Sequence, residues 1–341
     1  MKKALPIIVL AIVVIIVAYS AMTRKPVEVE PIAWYGPEAH PYVTEVKQGA
    51  EAYAKDGNTK ILTLVGSDWT QGEENNKVEI LSTQGHKAFS IYPGDAAGAN
   101  GLFEKLRAKG QYVVAYGAEP DLPTPAAFTV ATNIPEAAKT AARELIRLMG
   151  DKGKILNVLE TVTDINTQKR DRAIREVVAQ HPNVQILQTV TDMTQVDTAT
   201  NKIGAALVAN GDQIDGVITT GYNPTIAAAA ILTKWNGDPK HKKKIRFVGI
   251  DTADTVLKAI KDGYIDETIA QNPFGHGYIS CNILDLMLHG YTPKNGYQFI
   301  DAGIVIVNKN NVDTFRQEVQ KITNGIKADL TKKYLNPPAG K

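Results

Sequence analysis

Residues 245–278 read IRFVGIDTADTVLKAIKDGYIDETIAQNPFGHGY. Residues 245–250 form an apolar run of strand length that stops at Asp251. A helical spacing follows, with Val256, Leu257 and Ile260 on one face, and it ends at Gly263. Residues 268–270 form a second short apolar strand, which stops at Gln271. Two successive strands therefore each deliver a polar side chain at the carboxyl end. In an open parallel sheet that edge is where ligands bind. A carboxylate accepts hydrogen bonds and a carboxamide both donates and accepts, a combination suited to vicinal hydroxyls. Two readings of the pair are open. Asp251 and Gln271 contact a ligand, or Asp251 is the N-cap of the next helix and Gln271 simply ends a strand.

The same alternation extends outward in both directions. Upstream, strand-like runs are expected at 31–35, 60–65, 88–92, 111–116 and 127–131. Helical patterns separate them, the first over 42–55 with Val43, Val46, Ala50 and Tyr53 on one face. A second set places strands at 154–159, 184–190, 216–220, 245–250 and 268–270, with helical patterns around 137–148, 170–179, 203–208 and 224–232. A strand at 302–307 and a helix over 312–334 close the chain, and 337–341 are expected to fray. This βα alternation predicts an α/β fold of parallel sheets flanked by helices, about five strands in each half.

Composition is that of a globular protein, with 44% hydrophobic and 22% charged residues over 341 positions. The basic Met1-Lys2-Lys3 precedes an apolar run over 4–18 and the small residues Ala18 and Ser20. This pattern is that of a secretory signal peptide, with an uncleaved membrane anchor as the alternative. Either way the body is expected outside the cytoplasm, periplasmic or extracellular. Removing 1–20 deletes Lys2 and Lys3, so 38 − 2 leaves 36 basic residues against 36 acidic ones. That balance leaves no electrostatic footprint for nucleic acid. The one dense basic run, Lys240-His241-Lys242-Lys243-Lys244, reads as a solvated loop. The single cysteine, Cys281, falls on an apolar helical face with Ile279, Ile283 and Leu284 and reads as core. The sequence has no phosphate-binding glycine loop, no Gly-x-Ser-x-Gly elbow and no histidine pair at ligand spacing. No cofactor, no metal and no catalytic residue is therefore expected.

With these residues in place the chain resembles the periplasmic sugar-binding proteins of the ribose-binding type, the receptors of ABC importers. The likeness runs over 32–307. It rests on His40-Pro41-Tyr42 before Gly49-Ala50, on Tyr92-Pro93-Gly94-Asp95, and most of all on the 248–273 stretch through Asp251, Asp262-Gly263 and Gln271-Asn272-Pro273. The resemblance implies two Rossmann-like lobes joined by a three-crossover hinge near 132–133, 271–272 and 301–302. The expected division is a signal or anchor over 1–20, a tether over 21–30, a first lobe of 31–132 with 272–301, and a second of 133–271 with 302–335. It further implies a monomer that takes a monosaccharide or related polyol by hinge closure and delivers it to a membrane permease.

Carried over by position, Asp251 and Gln271 match the family's ligands of the sugar hydroxyls, Arg170 its ligand arginine, and Tyr42 its stacking aromatic. Met193 falls where the family has another aromatic wall. There are departures. The family's first-lobe Asp-Arg pair is here Gly117-Ala118, and its asparagine before the alanine-rich helix aligns with Gly221, beside Tyr222 and Asn223. His40 and Tyr92 stand where the family has asparagines. Trp34, Tyr35, Trp69 and Tyr92 are expected to replace the missing charged clamp with aromatic surface, which points to a sugar other than ribose, with a less polar end. The candidate ligand-binding set is therefore Asp251, Gln271, Arg170, Tyr42, His40, Tyr92, Tyr222, Asn223, Met193 and Trp34. A sensory receptor for chemotaxis or signalling shares this plan. An exported carbohydrate-active enzyme would need paired carboxylates or a triad, and a sugar-responsive repressor would need a DNA-binding segment in place of the signal.

Overall fold

Short apolar strands separated by helices with one apolar face have one stable solution, a sheet with helices on both sides, and this chain builds it twice. The structure, a computed structural model, describes residues 31–340 except 163 and 242. The expected signal and tether at 1–30 lie outside the described residues. In the first lobe the order is β1 (Ile32–Gly36), α1 (Pro41–Asp56), β2 (Ile61–Val65), α2 (Gln71–Gln84), β3 (Ala88–Ile91), α3 (Gly98–Ala108), β4 (Tyr112–Tyr116) and β5 (Phe128–Ala131). The second lobe follows with α4 (Ile134–Leu148), β6 (Gly153–Leu159), α5 (Ile165–Val178), β7 (Val184–Val190), α6 (Val196–Asn210), β8 (Gly216–Thr220), α7 (Tyr222–Gly237), β9 (Arg246–Ile250), α8 (Asp254–Lys261) and β10 (Glu267–Ala270). The chain then returns to the first lobe through α9 (Pro273–Leu288), β11 (Thr292–Pro293) and β12 (Gln298–Asp301). It ends with β13 (Val305–Val307), α10 (Phe315–Asp329), a π-helical turn (Leu330–Tyr334) and β14 (Leu335–Asn336).

The two sheets share one strand order. The first runs β12-β5-β4-β3-β1-β2 and the second β13-β10-β9-β8-β6-β7. All pairings in the first are parallel. In the second, β13 lies antiparallel to β10, so that sheet is mixed rather than wholly parallel. Each sheet thus has six strands. The sixth strand of the first, β12, was not anticipated as a strand, because Gln298-Phe-Ile-Asp301 holds only two apolar residues. The terminal helix also ends at Asp329 rather than continuing regularly to 334.

Strand alternation decides what lies on each face. Ile32 and Trp34 point into a core shared with α1 and α9, whereas Ala33 and Tyr35 point into the core under α2 and α3. In the second lobe Leu156 and Val158 face the α6, α7 and α8 side, and Ile155 faces α4 and α5. Cys281 is a fully buried free thiol in the first of these cores. α1 and α9 touch backbone to backbone. A Cβ at Gly277 would strike the Val46 carbonyl oxygen, and one at Gly49 would strike that of Phe274.

The chain passes between the sheets three times, after β5, after β10 and after β12. Side chains lace these crossings together. Asn272 caps α9 by accepting from the Gly275 amide at 2.8 Å and donates to the Ala302 carbonyl at 2.8 Å. The Asp301 carboxylate accepts from the Asn133 amide at 3.1 Å and from Gly303 at 2.9 Å. No helix among the described residues is long and apolar enough to cross a membrane. In the basic run, Lys243 pairs with Asp215 at 2.8 Å and the His241 ring stacks on Trp235 at 3.6 Å, as befits a surface loop.

Candidate functional site

In each sheet the strand order reverses at one point, between β1 and β3 in the first and between β6 and β8 in the second. Loops leaving the carboxyl ends of such strands diverge to opposite faces and open a crevice. The residues just past those ends are His40 and Tyr92 in the first lobe, and Glu160, Tyr222 and Asn223 in the second. Asp251 and Gln271 leave the next two strands, β9 and β10. Ring and charge interactions cross the gap. His40 meets Tyr222 edge to face at 5.5 Å, and Asp251 acts electrostatically on His40 and Tyr42.

The second lobe supplies the charged face. Asp251 holds a left-handed backbone with φ of 79°, uncommon for a residue with a side chain and a mark of local demand. Its amide donates to Ile269 at 2.9 Å and its carbonyl accepts from Thr268 at 2.8 Å, which fixes that turn. The N-cap of α8 is Ala253, with no side-chain cap bond, so Asp251 is not the helix cap. Its Oδ1 instead accepts from Gln271 Nε2 at 2.7 Å. Burial pushes the Asp251 carboxyl above its ordinary range, while the nearby Arg170 guanidinium and the Gln271 bond pull it back.

Arg170, on the inner side of α5, is 7% exposed, and its Nε has no acceptor. No hydrogen bond or ion pair of its guanidinium is made among the described residues. Its charge acts on Asp251, Glu160, Tyr42 and Tyr92, groups from both lobes. A buried cation with unused donors is expensive unless something else accepts from it. Glu160 was not anticipated. Burial, with Asp251 adding to it, raises its carboxyl to about 7 against the pull of Arg170. Asn223 bonds it through the backbone amide and, at 3.5 Å, through Nδ2. Gly221, with φ of 106°, makes room, because a Cβ there would overlap the Glu160 carboxylate. Asn223 also holds the Thr194 carbonyl at 3.0 Å.

The first lobe supplies an aromatic face. His40 is the N-cap of α1, and its Nδ1 accepts from the Tyr42 amide at 3.2 Å, leaving Nε2 as the ring's free nitrogen. Burial lowers the His40 pKa, with Asp251 opposing. Trp69 stands edge to face with both His40 and Tyr92, at 5.8 and 5.0 Å. Tyr42 meets Tyr92 at 6.3 Å. Its hydroxyl bonds His276 Nδ1 at 2.9 Å. His276 lies on α9 just past the second crossing; burial lowers its pKa to about 3, so it is neutral. Where the ribose-type pattern has a charged pair, Gly117 adopts φ of 74°, and the space of a side chain there is taken by the Tyr42 hydroxyl and the Tyr92 ring. A cavity of about 270 Å³ adjoins Gly117 on the hinge side, between Glu119 and Thr132 of one lobe and Asn166 and Lys169 of the other.

The structure thus brings Asp251, Gln271, Arg170, Asn223 and Tyr222 together on one face, and His40, Tyr42 and Tyr92 on the other. Trp34 and Met193 it places elsewhere. Trp34 is fully buried and stacks on Tyr116 at 5.6 Å, because its strand position turns it toward α1 and α9. Tyr35 points to the opposite side of the same sheet and is also fully buried. Neither ring therefore forms the aromatic surface expected of it; Trp69 and Tyr92 do. Met193 is fully buried in the second lobe's core. Glu160 had a readable signal, since it is the first residue past β6, but only the strand order shows that β6 borders the crevice.

This crevice between two like-folded lobes, lined with hydrogen-bonding groups on one side and rings on the other, defines a solute-binding module. The model of the periplasmic binding protein domain matches residues 35–292, and the chain belongs to that family. Among its relatives, the xylitol-binding protein of Mycolicibacterium smegmatis is 24% identical over 302 residues, covering 86% of this chain and 82% of the relative. The D-apiose import binding protein of Actinobacillus succinogenes is 25% identical over 278 residues, 80% of this chain and 86% of the relative. A solved ABC transporter solute-binding protein from Burkholderia graminis, in complex with D-arabinose, superposes with a TM-score of 0.75 at 19% identity, over 84% of this chain and 98% of that one.

Proposed function

We propose that this protein is an exported receptor that closes on a sugar or polyol and presents it to the permease of an ABC importer. The observation that carries this reading is Arg170, a buried guanidinium facing both lobes with its donors unused. A polyhydroxylated ligand provides the missing acceptors. Its hydroxyls donate in turn to Asp251, whose Oδ1 alone is engaged by the protein. Its C–H face packs on the rings of Tyr42, Tyr92 and Trp69. Hydroxyls need groups that both donate and accept, and Gln271 stands next to Asp251 and Asn223 next to Glu160. The relatives that import or bind pentoses and pentitols agree with a small polyhydroxylated ligand. The three laced crossings are the natural hinge, and a monomer suffices, because both faces of the site come from one chain.

Glu160 beside Asp251 is also a carboxylate pair, the equipment of glycoside hydrolysis. The test therefore measures binding and turnover together. Calorimetric titration with pentoses, pentitols and hexoses is followed by mass spectrometry of the recovered ligand. Saturable binding with the ligand returned unchanged, and its loss in Arg170→Met, is the expected result. Release of a hydrolysed product, or undiminished affinity in Arg170→Met, would overturn the reading.

A further inference from the structure

The two faces of the crevice do not balance in charge. On the second lobe, the carboxylates of Asp251 and Glu160 face the single guanidinium of Arg170, which acts on both. Asp164 adds a further negative charge at the start of α5, where it caps the helix by accepting from the Thr167 amide at 2.6 Å. On the first lobe, His40, Trp69 and Tyr92 supply no fixed cation; burial lowers the imidazole's pKa, with Asp251 and Glu38 opposing. Tyr92 lies within electrostatic reach of Glu160, Asp164 and Arg170 across the gap. Glu160 has no ion pair among the described residues; Asn223 alone bonds its carboxylate, through the backbone amide and, at 3.5 Å, through Nδ2. A largely buried carboxylate with no cation of its own is costly.

A neutral sugar can donate hydroxyls to Glu160 but brings no charge to offset it. A ligand cation does, and the opposite wall is suited to one. The Trp69 and Tyr92 rings meet at 86° with centroids 5.0 Å apart, and the faces of such rings attract ammonium groups. Arg170, nine-tenths buried and unpartnered, shows that the same crevice is built around a ligand.

Resting on the sugar-or-polyol reading above, we propose that the ligand is an amino-substituted polyol, an amino sugar or aminocyclitol. Its ammonium lies between Glu160 and the Trp69–Tyr92 corner, and its hydroxyls engage Arg170, Asp251 and Gln271. Glu160 is then the specificity-determining residue. Because burial raises its carboxyl to about 7, binding an ammonium near neutral pH drives off its remaining proton.

The test titrates the whole protein calorimetrically with matched pairs: glucose and glucosamine, galactose and galactosamine, xylitol and 1-amino-1-deoxyxylitol, myo-inositol and its monoamine. In at least one pair the amino compound is expected to bind about tenfold tighter or more, the effect of ~1.4 kcal/mol. At pH 7 it should release a measurable fraction of a proton per site, read from the dependence of the heat on buffer ionisation. Glu160→Gln should abolish both the preference and the proton release. Hydroxyl parents that bind as tightly as their amino partners overturn this inference and leave the sugar reading standing. An amino preference that survives in Glu160→Gln overturns the role of Glu160. If no member of any pair binds while a pentose does, this inference falls and the sugar reading stands.

Discussion

Asp251 offers the sharpest separation of ligand chemistry from backbone strain. Its φ of 79° is a conformation that glycine adopts without steric cost. Asp251→Gly therefore keeps the turn, with its amide and carbonyl bonds to Ile269 and Thr268, and removes only the carboxylate. One carboxylate oxygen is held by Gln271 at 2.7 Å and the other is left for the ligand. Losing one hydrogen bond to a charged group costs about 1.5–3 kcal/mol. At 1.4 kcal/mol per factor of ten, affinity for the bound polyol should fall roughly ten- to a hundredfold. Asp251→Asn keeps the shape, one acceptor and a side chain that tolerates the left-handed region, so its loss should be about tenfold or less. Calorimetric affinities and melting temperatures of both variants decide the matter. An Asp251→Gly protein that melts lower but binds with unchanged affinity would refute the reasoning, because it would give the carboxylate a structural role only.

Further expectations follow from the buried titratable groups and the packing. Burial raises the carboxyl of Glu160 to about 7. The folded state therefore holds that proton more tightly than the unfolded chain, and the stabilisation present below about pH 4.5 is lost as pH rises through about 7. Glu160→Gln should gain melting temperature over the wild type across that window in the empty protein; a constant difference from pH 4 to 8 would contradict this. His276 has the opposite sign. Its pKa falls to about 3, so its contribution is complete above the ordinary histidine pKa and is lost as pH drops toward 3. His276→Gln should flatten the acid limb of the stability profile, and an unchanged limb would count against a neutral buried imidazole. Gly277→Ala should cost about 1–3 kcal/mol in denaturant melts through overpacking of α1 on α9, and an unchanged midpoint would show that the contact can yield.

Most of the architecture was legible because most strands from β1 to β10 are short and rich in apolar residues between polar or glycine residues, and helices such as α1, α4 and α8 have a one-sided apolar pattern. The repeated plan was readable for the same reason. Pairing direction was not, because β13 meets β10 through a contact between segments distant in sequence. β12 escaped because a four-residue strand with two apolar residues is weaker than the loops around it. In the site, Asp251 and Gln271 stood out because their strands end abruptly on them, whereas whether Asp251 caps a helix depended on where α8 begins. Trp34 was misplaced because an aromatic near a strand end says nothing of which face it points to until the pleat is fixed. Glu160 looked like one residue of a polar loop, and its position at the strand-order reversal exists only in three dimensions.

The account stands on capture of a polyhydroxylated ligand between the lobes, and a melting screen addresses it most directly. The purified protein is heated with pentoses, hexoses, pentitols, cyclitols and their amino derivatives. A ligand at a hundred times its dissociation constant adds about 2.7 kcal/mol of stability. With an unfolding entropy of ~2.1 cal/mol/K per residue over the ~310 residues from Pro31 onward, that raises the melting temperature by about 4 °C. The account predicts a shift of that size for at least one such compound, and its disappearance in Arg170→Met. A screen in which none of them moves the transition, while amino acids or peptides do, would contradict it.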